Sequence, residues 1–273
     1  MDLLGLPAGV ELSPTTAALL LLAAFAAGWV DAVVGGGGLV QLPALLLVPG
    51  LSPVQALATN KLGSVFGTAT STLTYLRRVR PDLRTVLPMA AVALGGAFAG
   101  ASVAASLPAD VFKPVIVGAL VVVAVWTALR PTMGELTSLR FSGGAHYGVA
   151  VAVGALVGFY DGVLGPGTGS FLVIALVGLV GYDFLRASAK AKAVNLATNL
   201  GALLFFAPHG SVVWVLGLLL GACNVAGSYL GSRMAISHGT RFVRAVFLVV
   251  VTALVLRLGH DVWVENLRPL LAG

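Results

Sequence analysis

Asp31 and Asp161 each stand four residues ahead of a glycine-rich run, Gly35–Gly38 in one case and Gly165-Pro-Gly-Thr-Gly169 in the other. Lys61 follows the first aspartate by 30 positions, and Lys192 follows the second by 31. All four charges fall in or beside stretches apolar enough to enter a membrane, where an ionisable group is costly and usually has a task. A glycine run that opens a helix leaves backbone N–H groups free. A helix N-terminus carries roughly half a positive charge and four unpaired donors, which suits an anion. The expected anion-binding groups are therefore Gly35, Gly36, Gly37 and Gly38 in the first run and Gly165, Gly167, Thr168, Gly169 and Ser170 in the second. Lys61 and Lys192 would supply neutralising charge, and Asp31 and Asp161 would couple a proton or form gating ion pairs. A purely structural Asp–Lys pairing is the other reading, and Lys190 and Lys192 could instead snorkel to the interface. Asn60, Asn195 and Asn199 add amides at membrane depth; Asn195 and Asn199 share a helix face with Lys192. Such groups bind substrate or bond helix to helix, and glycines also let helices pack closely.

The elements that must position these groups follow from composition. Of 273 residues, 58% are hydrophobic and 10% are charged, with a mean hydropathy of +1.01. A soluble domain carries about 25% charged residues, so the bilayer must be the solvent. The net charge of +6 sits in short loops between apolar spans, which points to membrane orientation and away from nucleic acid. Stretches long enough to cross a core of about 30 Å are 15–34, 52–76, 85–106, 110–129, 143–164, 183–206, 212–234 and 240–258. Residues 38–48 and 169–180 are too short and follow the glycine breaks, so they are expected as re-entrant half-helices, tolerated where protein or a wet cavity satisfies the backbone. With alternating spans, twelve of the sixteen basic residues share one side, among them Arg77, Arg78, Arg80, Arg84 and Arg233. The positive-inside rule makes that side cytoplasmic and places both termini outside. Residues 1–14 have no basic leader pattern, so no cleavable signal is expected.

The two halves repeat one another. Gly28, Asp31, Gly35 and Gly37 match Gly158, Asp161, Gly165 and Gly167 at an offset of 130, and 56–61 matches 187–192 one residue further. Each copy has an odd number of crossings. The expected fold class is an all-α polytopic membrane protein with two inverted-topology repeats, each carrying a glycine-broken re-entrant half-helix. The divisions are 1–14, an N-terminal segment; 15–130, the first repeat; 131–142, a cytoplasmic linker; 143–258, the second repeat; and 259–273, a tail.

Enzyme chemistry is not expected. The chain has no H-E-x-x-H, G-x-S-x-G or Walker A motif, and neither catalytic residues nor cofactors are anticipated. Cys223 is the single cysteine and His146, His209, His238 and His260 show no ligand spacing, so no metal site is expected. Transport driven by an existing gradient is what remains.

The motifs Gly28-x-x-Asp31-x-x-x-Gly35-Gly-Gly-Gly38, Pro43 and Ala58-Thr-Asn60-Lys61-Leu62 resemble the first half of the sulfite exporter TauE/SafE family, also called the 4-toluene sulfonate uptake permeases. Tyr160-Asp161-Gly162-x-x-Gly165-Pro-Gly-Thr-Gly-Ser-Phe171 with Lys192-x-x-Asn195-x-x-x-Asn199 resembles its second half. The resemblance implies a multi-pass plasma-membrane permease, mostly bacterial, that moves sulfite, sulfoacetate, sulfonates or related anions without ATP. Its partners would be the small anion, the lipid bilayer and a coupling proton or ion. A carboxylate or cation transporter, or a non-transporting membrane subunit that binds a partner protein, are the alternatives.

Overall fold

The computed structural model describes residues 12–108 and 137–262, with side chains described to residue 246 and at Val249. All regular structure among them is helical. The expected span at 110–129, with Lys113, lies outside the described residues, as do Arg130, residues 131–136 of the linker and the two chain ends.

Local sequence explains where the helices start and stop. Helix α1 (Pro14–Val34) opens on Ser13, whose side chain accepts from Thr16 N–H, with proline at the first position. It closes at Gly35, where φ is +84° and the N–H returns to the Asp31 carbonyl at 2.8 Å. Helix α2 (Gly38–Leu46) has only 9 residues, about 14 Å of rise. Helix α3 (Pro53–Arg78) starts in a reciprocal capping box between Ser52 and Gln55 and ends on Arg77 and Arg78, which favour the negative end of the dipole. Helix α4 (Leu83–Ser106) is capped by Asp82, and α5 covers Gly143–Val163. Helix α6 (Thr168–Ala175) runs into a π turn at Leu176–Val180 and stops at Gly181. Helix α7 (Phe184–Phe206) is capped by Asp183. Helix α8 (Trp214–Val262) breaks at Gly239, where φ is +71° and ψ is −164°, between the two spans expected there.

Among the described residues, four segments are long and apolar enough to cross a membrane: Pro14–Val34, Leu83–Ser106, Gly143–Val163 and Trp214–Val246. Helices α3 and α7 have the length, at 26 and 23 residues, but carry too much polar side chain to qualify alone. Much of that polarity is buried, including Asn60, Lys61, Lys192, Asn195 and Asn199. Both lie inside the bundle, where α3 faces α7, while α8 covers α3 and α4 covers α7. Helix α1 lies along α8 and α4 lies along α5, the two most extensive contacts.

Glycine makes those two seams possible. A Cβ on Gly162 would stand 2.1 Å from the Ala97 carbonyl, and one on Gly227 would stand 2.0 Å from the Phe25 carbonyl. Backbone therefore meets backbone, the close packing that small residues permit between membrane helices. Large apolar side chains point outward instead: Leu22, Leu87 and Leu156 are more than half exposed, as a lipid-facing surface requires.

At the start of α4, Asp82 accepts from Thr85 Oγ1 at 2.7 Å and from Arg84 N–H at 3.1 Å. The Thr85 hydroxyl, ahead of the Arg84 amide and the Lys190 charge, holds this carboxyl below the usual carboxylate range. A depressed folded-state value stabilises the protein above the unfolded value and loses that contribution as pH falls through the folded one. Thermal unfolding in detergent should therefore show stability dropping below about pH 4. Thr85→Val should flatten that acid limb; an unchanged limb would show that Asp82 plays no part in it.

Candidate functional site

The two glycine breaks touch. Ser170 N–H donates to the Gly35 carbonyl at 2.9 Å, and Ser170 Oγ donates to the Val34 carbonyl at 3.1 Å. A Cβ on Gly35 would lie 2.2 Å from the Gly169 carbonyl carbon, and one on Gly169 would lie 2.4 Å from Gly35 Cα. No other residue fits at that crossing. The short helices open on Gly37 and Gly167, and no side chain caps either one.

The aspartates and lysines pair across the breaks, each lysine taking the aspartate of the other half. Lys61 Nζ lies 2.6 Å from Asp161 Oδ2, with both side chains 1% exposed. Lys192 Nζ lies 3.2 Å from Asp31 Oδ2 and also donates to the Asp31 carbonyl; here the lysine is fully buried and the aspartate 11% exposed. The first pair is sealed, and the second is slightly open. Thr168 Oγ1 stands 2.5 Å from Asp161 Oδ1 and 2.8 Å from the Gly165 carbonyl, so its one proton serves the carboxylate or the backbone. Thr168→Val leaves the carboxylate one donor short and should cost about 1–2 kcal/mol in detergent unfolding, whereas Thr168→Ser should cost little. Equal losses in the two variants would assign the effect to packing.

Between the pairs is a cavity of about 20 Å³, room for roughly one water. Asp31, Gly35 and Gly38 line it from the first break, and Asp161, Gly165, Gly167, Thr168 and Gly169 line it from the second. Helix α3 contributes Asn60, Lys61 and Ser64, and α7 contributes Asn195 and Asn199. Gly36, Gly37, Ser170 and Lys192 lie off the cavity. Ser170, expected as a donor to an anion, is engaged with the first half's backbone instead.

Two side chains were missed in the sequence. Ser64 is three residues after Lys61, the spacing of Asn195 after Lys192, so extending the repeat by one turn would have found it. Gln41, buried in α2, accepts from Asn224 Nδ2 at 2.5 Å while its own amide nitrogen has no partner. A single amide in an otherwise apolar half-helix was its signal.

Other expectations also need correction. Lys192 does not snorkel but turns inward to Asp31, whereas Lys190, 2% exposed, reaches toward the loop before α4, sits 4.6 Å above the Tyr182 ring and donates to the Asp82 carbonyl at 3.2 Å. Tyr160 pins the second break by donating to the Pro166 carbonyl at 2.6 Å, while Phe159 faces outward. Among the described residues no group of three or more His, Cys, Asp or Glu could hold a metal.

The comparisons with known proteins bear on this arrangement. The sulfite exporter TauE/SafE family model matches residues 20–258, and that stretch contains both breaks and both ion pairs. The chain belongs to the TauE/SafE family. This TauE/SafE chain is 39% identical over 244 residues to the probable membrane transporter protein ORF9 of Sinorhizobium sp, which covers 89% of the chain and 92% of that protein. It is 34% identical over 249 residues to the probable membrane transporter protein YfcA of Escherichia coli strain K12, covering 91% of each. A probable membrane transporter protein of Haemophilus influenzae is 30% identical over 244 residues, 89% of the chain and 94% of that protein. No solved structure matches. The chain is thus a multi-pass membrane protein of a transporter family, with a small molecule as the expected cargo class.

Proposed function

We propose that this protein is a secondary transporter of small sulfur-containing or organic anions, such as sulfite, sulfoacetate or sulfonates. Its site is the cavity between the two breaks, and it works by alternating access. One observation carries the reading: a buried cavity lined by Asp31, Lys61 and Asp161, whose charges are balanced by two Asp–Lys pairs between the halves, with Lys192 just behind Asp31.

Charge balance dictates the chemistry. An anion entering a neutral buried site brings a charge that nothing there offsets. A proton delivered to Asp161 releases the Lys61 ammonium, and the anion takes the carboxylate's place. One proton then travels with one monoanion. The N–H groups at the start of α2 and α6 and the amides of Asn60, Asn195 and Asn199 would hold the remaining oxygens. A cavity with room for about one water cannot admit a sulfonate until the breaks part, which favours a cycle of opening on alternate sides. The reciprocal pairing between the halves is what two inverted repeats, near 15–130 and 143–258, would give, and the positive-inside rule would make the arginine-rich face cytoplasmic with both termini outside.

The test is uptake into proteoliposomes of purified protein, with sulfite, sulfoacetate, taurine, an aromatic sulfonate and a carboxylate as cargo. Saturable uptake and counterflow of a sulfur anion, diminished when a protonophore collapses the pH gradient, is the expected result. Flux that never saturates would make the protein a channel. Cation uptake would reassign Asp31 and Asp161, and no flux at all would favour a partner-binding subunit.

A further inference from the structure

The described molecule has a second anionic-ligand geometry far along the chain from the breaks. At the end of α3, Arg77 and Arg78 join Arg233 of α8 around a cavity of about 440 Å³. Arg233 is held in place: Nη1 donates to the Tyr229 hydroxyl at 3.0 Å and the guanidinium lies 5.3 Å from that ring's centroid. The bond leaves the Tyr229 proton free to donate to a ligand. The ion pairs among the described residues use Lys61, Arg186 and Lys192, so no described carboxylate neutralises Arg77, Arg78 or Arg233. Three uncompensated guanidinium groups present the planar donor forks that match phosphate oxygens.

What adjoins the arginines decides which phosphate. Leu73, one turn before Arg77 on the same face of α3, is 55% exposed, and Phe66 continues that face. On α8, Val225 lies two turns before Arg233 and one turn after Gly221, whose Cβ position meets Phe66, and it is likewise exposed. The surface is therefore cationic at one end and apolar along its length, complementary to an amphiphile and not to a soluble anion. Basic pockets between membrane helices recognise lipid headgroups by this arrangement. We propose that the α3–α8 groove binds an anionic phospholipid, with its phosphodiester on Arg77, Arg78 and Arg233 and its acyl chains along Leu73, Phe66 and Val225.

Mass spectrometry of intact protein released from micelles doped with phosphatidylglycerol or phosphatidylcholine tests this. Retention of phosphatidylglycerol should exceed that of phosphatidylcholine by about tenfold. The triple variant Arg77→Gln/Arg78→Gln/Arg233→Gln should lower it to the phosphatidylcholine level, and the corresponding triple lysine variant should keep most of the preference. Arg84→Gln, an exposed arginine away from the groove, should behave as the unaltered protein. Equal retention of the two lipids, or undiminished preference in the glutamine variant, would overturn the proposal. So would full displacement of the lipid by inorganic phosphate, which would make the groove a soluble-anion site.

Discussion

Lys61→Ala is expected to abolish anion uptake and to destabilise the protein by about 3–5 kcal/mol, because it leaves the Asp161 carboxylate buried without its cation. The two effects separate in a second variant. Lys61→Ala/Asp161→Asn removes both charges, should regain most of the lost stability, and should still fail to transport, since nothing remains to draw the anion in. Uptake in proteoliposomes and thermal unfolding in detergent measure the two quantities. A folded double variant that transports normally would remove Lys61 from the site. Lys192→Ala should cost less stability, because Asp31 is partly reachable by water where Asp161 is not.

The second large effect is expected at the crossing of the breaks. Gly35→Ala asks a side chain to adopt φ of +84° with its Cβ 2.2 Å from the Gly169 carbonyl carbon. Positive φ alone costs about 1–3 kcal/mol and overpacking a similar amount, so the variant should lose roughly 3 kcal/mol or more. Gly95→Ala on α4 is the matched control: a Cβ there meets nothing within 4 Å, and alanine is the better helix former. Gly95→Ala should be neutral or slightly stabilising in the same unfolding assay. Comparable losses in the two variants would mean that the breaks do not meet as described.

Much of this was legible in the sequence, for identifiable reasons. Serine, aspartate, proline and glycine at helix ends act through local backbone chemistry, so Ser52, Asp183, Gly35 and Gly239 mark boundaries without tertiary knowledge. The candidate residues were legible because charge inside apolar sequence is rare, and Asp31, Lys61 and Asp161 stand out for that reason. Partner choice was not. That Lys61 takes Asp161 and Lys192 takes Asp31 depends on how α3 and α7 face each other, a long-range fact that spacing within one helix does not encode. Ser170 was misread for the same reason: its hydroxyl and amide look available until the other break is brought against them. For Lys190 nothing local announces the Tyr182 ring beneath it.

The seams of bare backbone have a consequence for biosynthesis. Gly28 and Gly227 belong to one seam, between α1 and α8; Gly100 and Gly158 belong to the other, between α4 and α5. Each seam joins an early helix to a later one, and each paired Asp and Lys at the breaks waits for a partner 100 or 161 residues away in the chain. As the chain leaves the ribosome, α1 to α3 enter the membrane with their grooves open and Asp31 and Lys61 unpaired. They cannot settle until α5 to α8 have been made. The first half is therefore expected to depend on insertion machinery, or on the second half supplied separately, because by itself it has no surface with which to close.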